Sequence, residues 1–120
     1  MSIIVQHYSS NGVAERILHS YRAAYGADAE VSPERLAPLD QFHTGGLPST
    51  KAMTKALSLR PGLHVLDVGS GIGGPARWIA KNFACRVTGI DFVAEFCDCA
   101  RKLCKATGLH DVVEIVEGDA

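Results

Sequence analysis

The sequence predicts an α/β fold: a parallel sheet with flanking helices, preceded by a helical N-terminal segment and truncated after its third strand. Three observations predict it. Short runs rich in β-branched residues at 64–68, 85–90 and 112–116 alternate with amphipathic stretches. A glycine-rich loop, Gly69-Ser70-Gly71-Ile72-Gly73-Gly74, joins the first run to the first stretch. Residues 1–60 show helical spacing and irregular polar loops instead. Strand–helix–strand–helix–strand order implies right-handed crossovers and a parallel sheet. The expected organisation is therefore a helical lid or cap over 1–60 and an incomplete core over 61–120.

The elements follow in order. A first helix is expected to start near Asn11, a favourable N-cap. Val13, Ile17, Leu18, Tyr21 and Tyr25 recur on it, and Gly26 stops it. Ser32-Pro33-Glu34 marks a second helix start, with Pro at the first helical position. A polar loop, Asp40 to Pro48, leads to a third helix with Ala52, Met53, Ala56 and Leu57 inward. Arg60-Pro61-Gly62 ends it.

His64 to Val68 reads as a short buried strand. Pro75 opens the next helix, with Ala76, Ile79, Ala80 and Phe83 on its apolar face. Cys85 to Ile90 is the second strand and ends at Asp91. Val93 to Thr107 is a helix with Phe96, Ala100, Leu103 and Cys104 inward, stopped by Gly108. Val112 to Val116 is the third strand.

Composition narrows the function. The chain has 120 residues, 47% hydrophobic and 21% charged, with a net charge of −1. That balance gives no electrostatic footprint for nucleic acid or an anionic membrane. The apolar runs are too short to span a bilayer, and Met1 to Val5 lacks the form of a signal peptide. A cytoplasmic location is expected. The cysteines are Cys85, Cys97, Cys99 and Cys104; Cys97-x-Cys99 has the wrong spacing for zinc and no second cluster follows. Reduced, partly buried thiols and no metal are expected. His7, His19, His64 and His110 form no spaced cluster. Tyr8, Tyr21, Tyr25 and Trp78 read as packing residues.

The loop carries the chemistry. Gly69-x-Gly71-x-x-Gly74 follows a strand, opens a helix, and stands 17 residues before Asp91. That context fits a nucleoside-type ligand at the carboxyl ends of the strands. Asp67 decides which one. A carboxylate at the mouth of the loop repels a pyrophosphate, which would sit on the helix N-terminus. It attracts a sulfonium and an ammonium. At about 4 Å and an effective dielectric of about 20, each such contact is worth roughly 4 kcal/mol before desolvation. A cationic, phosphate-free nucleoside, S-adenosylmethionine, is the expected ligand. Asp91 can accept from ribose hydroxyls, Phe92 can cover the adenine edge, and Asp119 can accept from the adenine amino group.

Val65 to Arg77 resembles motif I of the class I methyltransferases. Val87-Thr88-Gly89-Ile90-Asp91 is similar to their second-strand motif, and Glu117-Gly118-Asp119-Ala120 to the start of the next. The Gly-Gly-Pro-Ala-Arg variant resembles the sterol, phosphoethanolamine, tocopherol and sarcosine/dimethylglycine methyltransferases. Asp40 to Gly46 also resembles a segment that precedes motif I in small-molecule members. The resemblance implies a Rossmann-like core and methyl transfer from S-adenosylmethionine to a small-molecule acceptor, leaving S-adenosylhomocysteine. The implied cofactor site takes in Gln41, His43, Asp67, Gly69, Ser70, Gly71, Asp91, Phe92, Asp119 and Ala120. Gln41 and His43 are expected to close over the methionine end.

In the family a fourth strand lies against the first, and the parts beyond the third strand supply most of the acceptor pocket. The expected product of this chain is therefore a cofactor-binding half, with an uncovered first-strand edge open to self-association. Methyl transfer is an in-line displacement that needs alignment and exclusion of water. No catalytic group is assigned; His43 is the one candidate base. Two other readings stand beside this one: a nicotinamide- or flavin-dependent oxidoreductase fragment, which Asp67 opposes, and a non-catalytic binding module working through its sheet edge.

Overall fold

The computed structural model describes residues 10–41 and 46–119. His43 and Ala120, and with them Tyr8, lie outside the described residues. The elements are α1 (Ser10–Tyr25), α2 (Pro33–Asp40), α3 (Gly46–Ala56), β1 (His64–Val68), α4 (Gly74–Phe83), β2 (Arg86–Asp91), α5 (Ala94–Ala106) and β3 (Val113–Glu117).

The three strands form one parallel sheet in the order β1-β2-β3. Asp67 pairs with Gly89, and Gly89 with Ile115, so the strands end level with one another. The helices α4 and α5 cover one sheet face. Val87, Val113 and Ile115 of the sheet meet Ala76, Ile79 and Ala80 of α4 and Cys97, Ala100 and Cys104 of α5 there. Trp78 is buried as well, and its ring meets Phe83 edge-on at 5.8 Å between centroids.

The N-terminal helices form a further layer. Ala14, Ile17, Tyr21 and Leu36 share a core with Ile72 of the glycine loop and Cys99 and Leu103 of α5. The Tyr21 hydroxyl donates to the Glu30 carbonyl at 2.6 Å and accepts from the Ser32 amide at 3.1 Å. It thereby fixes the entry to α2, where Ser32 is the expected N-cap and accepts from the Arg35 amide. Tyr25 is half exposed and carries the Arg35 guanidinium over its ring.

Several details depart from the sequence expectation. Helix α1 opens at Ser10, beside the expected start near Asn11, whereas α3 opens at Gly46, ahead of Pro48. On α3 the buried side chains are Thr50 and Thr54, while Met53 and Leu57 are about half exposed, at 49% and 50%. Phe96 is exposed, and Cys97 and Cys99 take the inward positions beside Ala100, Leu103 and Cys104. Strand β1 is not buried: Leu66 and Val68 are about 60% exposed, at 60% and 61%, on the face that α4 and α5 leave open. Apolar spacing identifies a face that can pack; here the described residues place no layer against it. The four cysteines are all free and buried, and burial raises the Cys99 thiol to about 11.

Candidate cofactor site

The turn after β1 is built by hydrogen bonds to the end of β2. The Gly69 and Ser70 amides both donate to the Ile90 carbonyl, at 2.8 and 3.0 Å. The Gly71 amide donates to Asp91 Oδ2 at 2.9 Å, and Asp91 Oδ1 accepts from the Val93 amide at 2.9 Å. The Gly73 amide donates to the Ser70 carbonyl. The loop thus spends these amides internally. Ser70 folds back over β2, where a Cβ on Gly89 would stand 2.7 Å from Ser70 Oγ.

The fingerprint glycines serve two different purposes. Gly69 and Gly71 have φ of +71° and +57°, and a methyl added at either would meet nothing within 4 Å, so they face open space. A left-handed backbone there favours glycine on conformational grounds. Gly74 is a packing position: an added Cβ would sit 2.3 Å from the Asp40 carbonyl oxygen.

A cleft of about 330 Å³ opens beside this loop, at the lower end of the size range of small-ligand sites. Asp67 of β1 lines it with Gly69, Ser70, Gly71 and Ile72. Pro75 of α4, Asp40 of α2 and Ser49, Thr50 and Met53 of α3 complete the wall. Among the described residues no Lys, Arg or His lines it. The expected residues Asp67, Gly69, Ser70 and Gly71 are therefore brought together. Gln41 stands behind the wall, buried, its Oε1 accepting from Thr50 Oγ1 at 2.9 Å.

Three other expected residues, Asp91, Phe92 and Asp119, lie apart from the cleft wall. Asp91 is buried and tied to the loop through Gly71. Phe92 is 76% exposed just beyond β2, and Asp119 is exposed just beyond β3. These three mark the carboxyl ends of neighbouring strands, continuous with the loop.

Sequence reasoning passed over Asp40, although it is 2% exposed. Arg77 Nη2 donates to Asp40 Oδ2 at 2.9 Å, and Arg77 is wholly buried. Arg77 Nη1 also donates to the Ala100 carbonyl at 3.3 Å. Burial pushes the Asp40 carboxyl above the usual range, and the Arg77 guanidinium opposes that shift. One signal was available in the sequence: an acid closing a helix sits at the negative end of its dipole and calls for a cationic partner.

A family model described as a methyltransferase domain matches residues 65–120. Phosphoethanolamine N-methyltransferase 3 of Arabidopsis thaliana is 45% identical over 76 residues, covering 63% of this chain and 15% of that protein. Cyclopropane-fatty-acyl-phospholipid synthase of Escherichia coli K12 is 31% identical over 104 residues, covering 83% and 25%. A methyltransferase structure from Thiobacillus denitrificans, in complex with S-adenosyl-L-homocysteine, superposes with a TM-score of 0.56 at 28% identity, covering 88% of this chain and 37% of that one. The chain thus spans well under half the length of each.

Proposed function

We propose that this chain, a member of the class I S-adenosylmethionine-dependent methyltransferases through residues 65–120, holds the methyl donor for transfer to a small-molecule acceptor. One observation carries the reading. The cleft beside the glycine loop is walled by carboxylates and lined by no basic side chain among the described residues. The Gly69, Ser70, Gly71 and Gly73 amides of the loop already bond to Ile90, Asp91 and Ser70, leaving fewer donors for a phosphate. Such a cleft suits a sulfonium and an ammonium and opposes a pyrophosphate. The oxidoreductase alternative loses its support on the same ground.

In this reading Asp67, Gly69, Ser70 and Gly71 line the methionine part, with Gln41 and His43 beside it. Asp91 holds the ribose, and Phe92, Asp119 and Ala120 flank the adenine. The donor, when bound, supplies an electrophilic methyl group. The chain's residues orient it and keep water from it. Residues 1–60 act as the cap and 61–120 as the core. No helix among the described residues is long and apolar enough to cross a membrane. The buried free thiols fit a reducing, cytoplasmic setting.

Calorimetry tests the assignment. S-adenosylhomocysteine should bind the chain and NAD should not. Asp67→Asn should weaken S-adenosylhomocysteine binding by roughly tenfold or more, as expected for loss of a charged acceptor. Tighter binding of NAD than of S-adenosylhomocysteine sinks the reading.

The unpaired edge of β1, with Leu66 and Val68 exposed on the adjoining sheet face, also supports self-association of the chain. Sedimentation velocity over a dilution series should show a faster species at high concentration. Leu66→Lys should abolish it, and a single invariant monomer peak in the parent chain would refute it.

A further inference from the structure

Asp40 is held in an unusual state for a buried acid. It closes α2 at the negative end of the helix dipole, which disfavours a carboxylate. Arg77 satisfies one of its oxygens. The other, Oδ1, is buried with no hydrogen-bond partner among the described residues. Arg77 Nη1 donates to the Ala100 carbonyl, with Cys104 Sγ 3.8 Å away, and Arg77 Nε is likewise buried with no hydrogen-bond partner among the described residues. A buried carboxylate oxygen without a donor is costly, and such groups are rare unless something else satisfies them. Asp40 also forms part of the cleft wall.

We propose that Asp40 is a second carboxylate for the methyl donor: its Oδ1 accepts from the donor's ammonium, and Arg77 is the positioning residue that holds it there. This rests on the reading of the cleft as the S-adenosylmethionine site. The ammonium is the matching group because an N–H donor that carries charge makes the strongest bond to a carboxylate. The ribose, in contrast, falls to Asp91, at the end of β2, the position that takes it in related parallel sheets.

The test compares two ligands on the full chain. S-adenosylhomocysteine carries the ammonium; 5′-methylthioadenosine has the same nucleoside and sulfur but no amino acid. Asp40→Asn should weaken S-adenosylhomocysteine binding by about tenfold and leave 5′-methylthioadenosine within about twofold of the parent, the gap expected for one charge-assisted bond. The double variant Asp40→Leu/Arg77→Met decides the matter if the single variant does not fold, because an apolar pair of similar volume can replace a buried ion pair. It should show the same split. Equal loss for both ligands means that Asp40 is only structural and overturns the proposal, as does unchanged S-adenosylhomocysteine affinity. Parent chain that binds neither ligand refutes the cofactor reading itself, which a split confined to the variants does not touch.

Discussion

Replacing Arg77 with Leu should destabilise the chain by about 3–5 kcal/mol at neutral pH, the range for removing one partner of a buried ion pair. The guanidinium is wholly buried and joins three elements: the end of α2 through Asp40, its own helix α4, and α5 through the Ala100 carbonyl. Leucine fills much of the space but leaves the Asp40 carboxylate in the interior with no cation. The loss should depend on pH in a definite direction. Asp40 already has a folded-state pKa above its unfolded value of 3.8, through burial. A carboxyl raised in this way binds its proton more tightly when folded. Its contribution to stability is full below 3.8 and is lost as pH rises through the folded value. Without Arg77, which lowers that value, the effect is larger. The deficit of Arg77→Leu should therefore be smallest in acid and grow toward neutrality. Urea unfolding followed by Trp78 fluorescence at several pH values measures it. A loss below about 1 kcal/mol at pH 7, or no trend with pH, contradicts the role given to the pair.

Much of the core was legible because period and punctuation are local signals. The glycine loop, Asp67 before it and Asp91 at the next strand end lie within one stretch of chain, and the parallel topology levels them. Ser32 was legible as a cap for the same reason: its partner, Arg35, is three residues away. The Asp40–Arg77 pair was not, because its members are 37 residues apart and meet only through the packing of α2 on α4. Arginine on a helix next to an apolar stripe reads as a solvated residue until a neighbour is known to cover it.

The errors of face have a related origin. Met53, Leu57 and Phe96 sit at helical spacing with apolar neighbours, yet stand outward, while Thr50 and Thr54 pack inward. Thr50 can be buried because Gln41 accepts its hydroxyl proton, and Thr54 because its hydroxyl donates to the Lys51 carbonyl. A polar side chain whose hydrogen bond is met inside costs little to bury. Its partner is invisible in a periodicity plot.

Gly74→Ala should be the second severe substitution, with a loss of about 3 kcal/mol, at the upper end of the overpacking range. The new Cβ would stand 2.3 Å from the Asp40 carbonyl oxygen and 2.9 Å from its carbonyl carbon. Both are backbone atoms at the end of a helix, so no rotamer change relieves the contact. Helix α2 must move off α4, and that motion draws Asp40 away from Arg77. Gly71→Ala supplies the contrast. Its φ of +57° strains an alanine, but nothing lies within 4 Å of the added methyl. The expected loss is only about 1–2 kcal/mol. For a domain of this size each kcal/mol moves the melting midpoint by roughly 4–8 °C. Gly74→Ala should therefore melt well below Gly71→Ala, while Gly71→Ala remains folded and places its methyl on the cleft wall where the ligand approaches. If the two variants melt together, close backbone packing is not what the third glycine of the fingerprint provides here. In that event the docking of α2 on α4 would have to be set by the ion pair alone.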